Sequence, residues 1–227
     1  FPGRVSMIPC NHDAALTESV WTRAARLGAL PANLHLALQG KALDFSALGF
    51  SALTAPLTQR HTYNDLAEWF DEAPTPSGHV RIGVGHGSVQ GVLAEDIDSA
   101  NPIGAQRSER AKLDYLALGD WHGCKQIDDR TWYSGTPEPD RFKGNEPGYA
   151  LLVEIGARGA APSVTRLETG QFNWQAWEQT VAVASDVDEF IARLAQVGAR
   201  DVMSIRVAGH IDLAGLQRIR AALSTTE

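Results

Sequence analysis

The apolar residues of this chain fall into short runs that stop at prolines, glycines and small polar clusters. Val5-Ser6-Met7-Ile8 is closed by Pro9, the pattern of a buried parallel strand that feeds a loop at its carboxyl end. Asn11-His12-Asp13 follow at once, three polar residues able to bind a metal or move a proton. Thr17 can cap a helix running to about Leu27, with Glu18 near the positive end of the helix dipole and Gly28 as its stop. Leu34-His35-Leu36-Ala37-Leu38 alternates, which predicts a strand and makes His35 a strand-face residue rather than a ligand. A second extended piece over 49–55 ends at Pro56. Thr62 is placed to cap a helix over 63–70, in which Leu66, Trp69 and Phe70 share one face. The stretch 71–78, with two prolines, a serine and a glycine, predicts a loop, and the flanking His61 and His79 are expected at the surface.

Val80-Arg81-Ile82-Gly83-Val84 predicts a strand running straight into Gly85-His86-Gly87. The edge just past the carboxyl ends of strands is where open α/β sheets bind ligands, although a histidine between glycines also fits a simple turn. A polar loop over 96–104 and a short charged helix over 106–113 lead to a strand over 115–118. Gly119 then turns the chain, and Asp120 and His122 lie two apart. If that tip stays extended, the two side chains point the same way and can converge on a metal. The alternative is a hairpin turn with a solvated aspartate and a packed histidine. Strands are expected over 124–127, 131–134 and 149–155, with 163–167 pairing back across a hairpin. The composition changes over 171–177, after which the chain reads strand (178–184), helix (187–197), strand (202–207), helix (213–223), with His210 in a loop. The predicted organisation is therefore a main α/β domain over 1–170 and a small α/β domain over 171–227.

The chain has 227 residues, enough for one ordinary globular core plus an appendage. No apolar run approaches the ~18 residues of a membrane helix, so none is expected to span a bilayer. The first residue is Phe1 and no charged-then-apolar leader follows it, which reads as a piece of a longer protein and gives no sign of a signal peptide. Two cysteines, Cys10 and Cys124, are too few for a disulfide framework and suit a reducing cytoplasm. The formal net charge of -7 argues mildly against a broad basic surface for nucleic acid, but does not exclude a nuclease, because bound cations can supply positive charge locally.

Two segments carry a family resemblance. Ile8-Pro9-Cys10-Asn11-His12-Asp13 resembles the Pro-Gly-Asn-His-Asp/Glu signature of the calcineurin-like metallophosphoesterases, with Cys10 where the family has glycine. Asp114-Tyr115-Leu116-Ala117-Leu118-Gly119-Asp120-Trp121-His122 resembles the Asp-Tyr-x-Ala-Leu-Gly-His-x-His segment of the DNA repair exonuclease (SbcD-like) branch, and Tyr133-Ser134-Gly135-Thr136-Pro137 its Tyr-x-Gly-Ser-Pro-like stretch. Asp120 stands in place of the first histidine, which brings a negative charge and a shorter reach and so alters the expected metal preference.

The resemblance implies a calcineurin-like layered β-sandwich flanked by helices, incomplete at its N-terminus, with a C-terminal capping domain. It implies metal-dependent phosphodiester hydrolysis, as a DNA repair exonuclease or endonuclease, with two divalent ions, Mn2+ foremost and Mg2+, Fe or Zn2+ as alternatives. Asn11, His86 and Asp120 would serve one metal and His122 the other. His12 would donate a proton or stabilise the transition state, with Asp13 either orienting His12 or capping the loop. The family's Asp-x-His and Gly-Asp-x-x-Asp motifs precede the Asn-His pair, and only ten residues precede Asn11 here. The expectation is an incomplete site in this chain alone, with Mn2+-dependent hydrolysis restored by an upstream segment. The implied partners are DNA and an ATPase subunit, with room for a homodimer. A phosphoesterase for small phosphodiesters or phosphoproteins is the alternative enzyme, and a non-catalytic binding module the alternative of another class. Cys10 and Cys124 flank two of the proposed metal loops and are expected near each other as reduced thiols.

Overall fold

The computed structural model describes residues 3–92, 100–142 and 144–225. In chain order the strands and helices are β1 (Val5–Met7), α1 (Val20–Arg26), β2 (Leu34–Leu36), β3 (Lys41–Phe45), β4 (Phe50–Ala55), β5 (Val80–His86), β6 (Ser88–Val89), β7 (Pro102–Ile103), α2 (Arg107–Arg110), β8 (Tyr115–Gly119), β9 (Lys125–Gln126), β10 (Thr131–Tyr133), β11 (Tyr149–Glu154), β12 (Ser163–Glu168), β13 (Asn173–Val181), α3 (Ala184–Leu194), β14 (Asp201–Gly209) and α4 (Leu213–Ser224). The chain is a mixed α/β protein and divides into two compact units, one of residues 1–137 with 145–168, the other of 138–144 with 169–227.

The first unit is organised by a six-stranded mixed sheet of order β3-β4-β5-β8-β10-β9. The four central strands run parallel, and β3 and β9 close the two edges antiparallel. One face carries the core, in which Leu53, Phe70, Leu116, Leu118 and Tyr133 are buried together. That packing also decides the fate of the helix expected over 63–70, of which only a 3-10 turn, Glu68–Asp71, forms. Thr62 does not cap it, because its N–H and hydroxyl both donate to Asn101 Oδ1, at 2.8 and 3.0 Å. Asp65 instead accepts from Ala67 N and Gly104 N, both at 2.8 Å, and so folds the segment onto the chain entering α2.

Local chemistry shifts other predicted boundaries. α1 starts after Ser19 rather than Thr17, through a reciprocal capping box: Ser19 Oγ accepts from Thr22 N at 3.2 Å and Thr22 Oγ1 accepts from Ser19 N at 2.8 Å. Gly28 then stops it at φ 62°. The charged helix over 106–113 shrinks to the four residues of α2, and the strand β3 had no alternation to announce it. The polar loop expected over 96–104 lies partly outside the described residues.

At the end of the sheet where the central strands begin, Asp114 is buried at 1% exposure. Its carboxylate accepts from Arg81 N at 2.8 Å, Gly159 N at 2.7 Å and Arg158 at 2.7 Å, so a buried charge is fully paired. This fixes the starts of β5 and β8 against the β11–β12 hairpin. The second unit pairs β13 with β14 in parallel and packs Val187, Phe190, Leu194 and Ile219 of α3 and α4 with Val181. β13 begins at Asn173, within the stretch where the composition changes and ahead of the strand expected from 178. Asp186 accepts from Ala182 N and Val183 N at the start of α3, and Asp212 from Gly215 N at the start of α4. Among the described residues no helix is long and apolar enough to cross a membrane.

Candidate metal centre

Parallel pairing brings the carboxyl ends of β4, β5, β8 and β10 to one edge of the sheet. There His86 is the register partner of Gly119, so the last residue of β5 lies beside the residue that precedes Asp120. The loop after β1 is tied to the same edge by two backbone hydrogen bonds, Leu57 N to Pro9 O (3.1 Å) and Ala15 N to Leu57 O (2.8 Å). Three sequence-distant tips thus meet.

Their side chains converge. His86 Nε2 lies 3.2 Å from Asn11 Oδ1 and 3.4 Å from Asp120 Oδ1, and Asn11 Nδ2 lies 3.5 Å from the same Asp120 oxygen. With its proton on Nε2 the ring donates toward both oxygens. Burial of the ring favours its neutral form, but Asp120 and Cys10 beside it outweigh burial and lift the pKa from 6.5 to about 9. The His86 side chain is 10% exposed and that of Asp120 28%, so the cluster has a wall and an open mouth.

The backbone is adapted to this meeting. Asp120 adopts φ 106°, a region an aspartate occupies only at a cost. A Cβ on Gly119 would stand 2.9 Å from His86 Nδ1, so only glycine leaves space for the ring. The tip after β8 therefore does not stay extended at Asp120, and the condition on which Asp120 and His122 were expected to point the same way is not met. Asp120 turns to His86 and Asn11, while the His122 carbonyl is held by Thr136 N at 2.9 Å.

The loop residues sort differently from the expectation. Both oxygens of Asp13 are engaged, one accepting from Cys10 N of the same loop at 2.7 Å and the other from Trp21 Nε1 of α1 at 2.5 Å. Asp13 thus shapes the turn that presents Asn11, in the capping role of its two readings. His12 is exposed. Cys10 and Cys124 are free thiols; Cys10 Sγ donates to Ile8 O at 3.8 Å and is an electrostatic neighbour of His86, whereas Cys124 is buried with Tyr115, Glu146 and Arg166 for electrostatic neighbours. His35 packs edge-on against Phe45 at 5.0 Å, and His79, half-buried rather than exposed, hydrogen-bonds Ser51 Oγ at 3.0 Å.

Asn101 had drawn no notice in the sequence. It is buried, adopts φ 64° and accepts Ser88 N on its backbone oxygen at 2.9 Å. Its one legible signal is that asparagine tolerates the left-handed region better than most residues.

The donor set suits a divalent ion of borderline to hard character: one imidazole nitrogen, one carboxylate oxygen and one amide oxygen. Ligand atoms about 2.1 Å from a shared ion stand roughly 3.0–3.4 Å from one another in octahedral or tetrahedral geometry, close to the separations found around His86 Nε2. Among the described residues no three His, Cys, Asp or Glu side chains group to hold a metal, so an ion at this cluster would need the amide of Asn11 as its third donor. No family model and no curated protein matches this chain.

Proposed function

We propose that the first unit is a calcineurin-like metallophosphoesterase core that binds a divalent cation, Mn2+ foremost, through Asn11, His86 and Asp120 and supplies part of a site for hydrolysis of DNA phosphodiester bonds. One observation carries the reading: donor atoms from three separate strand ends meet around His86 Nε2 at 3.2 and 3.4 Å. A divalent ion there would neutralise charge on a phosphate ester, which phosphodiester hydrolysis requires. In this reading Asp13 holds the Asn11 loop, exposed His12 is free to approach a substrate's leaving oxygen, and His122 serves a second ion. The second unit is the capping domain, an ATPase subunit the partner and the cytoplasm the setting.

Calorimetric titration with Mn2+, followed by hydrolysis of bis-p-nitrophenyl phosphate and of DNA, tests this. Saturable binding that is lost in His86→Ala and Asp120→Ala supports the cation site, and manganese-dependent cleavage of DNA supports the nuclease. Cleavage of the small ester alone would favour the phosphoesterase of small substrates. A non-catalytic module is a second reading, favoured by the single carboxylate among the three donors. It predicts cation binding with neither ester nor DNA hydrolysed.

A further inference from the structure

The chain that leaves His86 is clamped. Gly87 N donates to Gly119 O at 3.2 Å, Ser88 N to Asn101 O at 2.9 Å and Gln90 N to Ile103 O at 2.9 Å. Gly87 itself must be glycine, because a Cβ there would stand 2.1 Å from Asn101 O. Two further groups of this turn go to one side chain. The Tyr133 hydroxyl donates to Gly87 O at 2.7 Å and accepts from Val89 N at 3.0 Å. Tyr133 is fully buried in the core at the end of β10, so neither bond competes with bulk water.

We propose that Tyr133 is the positioning residue for His86. The proposal rests on the reading of Asn11, His86 and Asp120 as a cation site, and adds that its geometry is set from two strands away. The aromatic ring anchors in the core, while the phenol oxygen fixes the carbonyl of the residue next to His86 and the amide two residues further on. The peptide following Gly87 then cannot rotate without breaking a buried hydrogen bond, the peptide before it is held by Gly87 N on Gly119 O, and the imidazole is kept beside Gly119, facing Asn11 and Asp120. A tyrosine is suited to this because one hydroxyl both donates and accepts. Phenylalanine would fill the same volume and leave both backbone groups without a partner. Tyr133 touches neither the proposed ion nor a substrate.

The test compares Tyr133→Phe with the wild-type chain by Mn2+ titration and by the imidazole 15N shifts of His86, assigned through their loss in His86→Gln. The expected result is a folded variant with about tenfold weaker Mn2+ binding, the range seen when groups that orient metal ligands are removed, and displaced His86 shifts in the metal-free protein. A folded variant with unchanged Mn2+ affinity and unchanged His86 shifts overturns the proposal. If the wild-type chain binds no Mn2+, the cation reading fails, whereas the imidazole shifts still decide whether Tyr133 positions the ring. Should the phenylalanine variant not fold, 2-fluorotyrosine placed at 133 keeps the ring and hydroxyl while changing the acidity of the phenol. His86 shifts that ignore this change would count against the assignment.

Discussion

His86 Nε2 and Asp120 Oδ1 lie 3.4 Å apart, one at the end of β5 and the other just past the end of β8. The proton that links them points into the space shared with Asn11 Oδ1, where the proposed cation would sit. Proton and cation are therefore competitors for one position.

The competition sets a pH dependence. The folded-state pKa of His86, about 9, lies above the unfolded value of about 6.5. The protonated ring thus stabilises the metal-free fold fully below the unfolded pKa, and this contribution is lost as pH rises through about 9. A cation needs the neutral ring. Mn2+ affinity should increase by up to about tenfold per pH unit between roughly pH 6.5 and 9 and then level off. Calorimetry across that window checks it, with a flat profile meaning that His86 is not a ligand.

Asp120 separates function from strain. Its φ of 106° suits glycine, so Asp120→Gly and Asp120→Ala both lose the carboxylate but only alanine keeps a Cβ in that conformation. The glycine variant should be the more stable of the two by about 1–2 kcal/mol in urea unfolding. Both should bind Mn2+ at least about tenfold more weakly than the wild-type chain. Equal stability of the two variants would show that the conformation carries no strain.

Much of the candidate site was legible in the sequence, for a physical reason. Asn11, His86 and Asp120 each follow an apolar run that reads as a strand, and parallel strands deliver their carboxyl ends to one edge. What escaped was decided at long range or by backbone conformation. The helix expected after Thr62 was lost to Asn101, a partner 39 residues away. The extended tip expected over Asp120 and His122 does not form, because Asp120 lies at φ 106°. Gly119 looked like a turn residue, yet its lack of a side chain makes room for the His86 ring. The strand β3 was missed because Lys41-Ala42-Leu43-Asp44-Phe45 has no strict alternation, and antiparallel pairing with β4 supplies its order instead.

Gly119→Ala tests that close approach directly. The added methyl would lie 2.9 Å from His86 Nδ1, so either the ring or β8 must shift. A cost of about 1–3 kcal/mol is expected from overpacking, together with weakened Mn2+ binding. Gly156→Ala is the control: like Gly119 it does not have positive φ, and its Cβ meets nothing within 4 Å, so it tests the loss of a glycine without crowding, and it should leave Mn2+ binding as it is. Parallel unfolding and titration of the two variants separate ring displacement from general backbone strain.

The opposite end of the sheet predicts a different response. Asp114 is buried and pairs with Arg158 at 2.7 Å while also accepting from the amides of Arg81 and Gly159. Removing it in Asp114→Ala leaves two amides and the guanidinium of Arg158 without their carboxylate. Breaking a buried, hydrogen-bonded pair from one side costs about 3–5 kcal/mol, a large share of a domain's total stability. Because the network lies at the starts of β5 and β8, the loss should appear as lowered unfolding free energy. Whatever fraction remains folded should still bind Mn2+, since His86 and Asp120 sit at the other ends of the same strands. A destabilised variant with unchanged affinity per folded molecule is the expected result. Loss of affinity in the folded fraction would instead mean that the two ends of the sheet are coupled, and that the strand starts help set the geometry of the cation cluster.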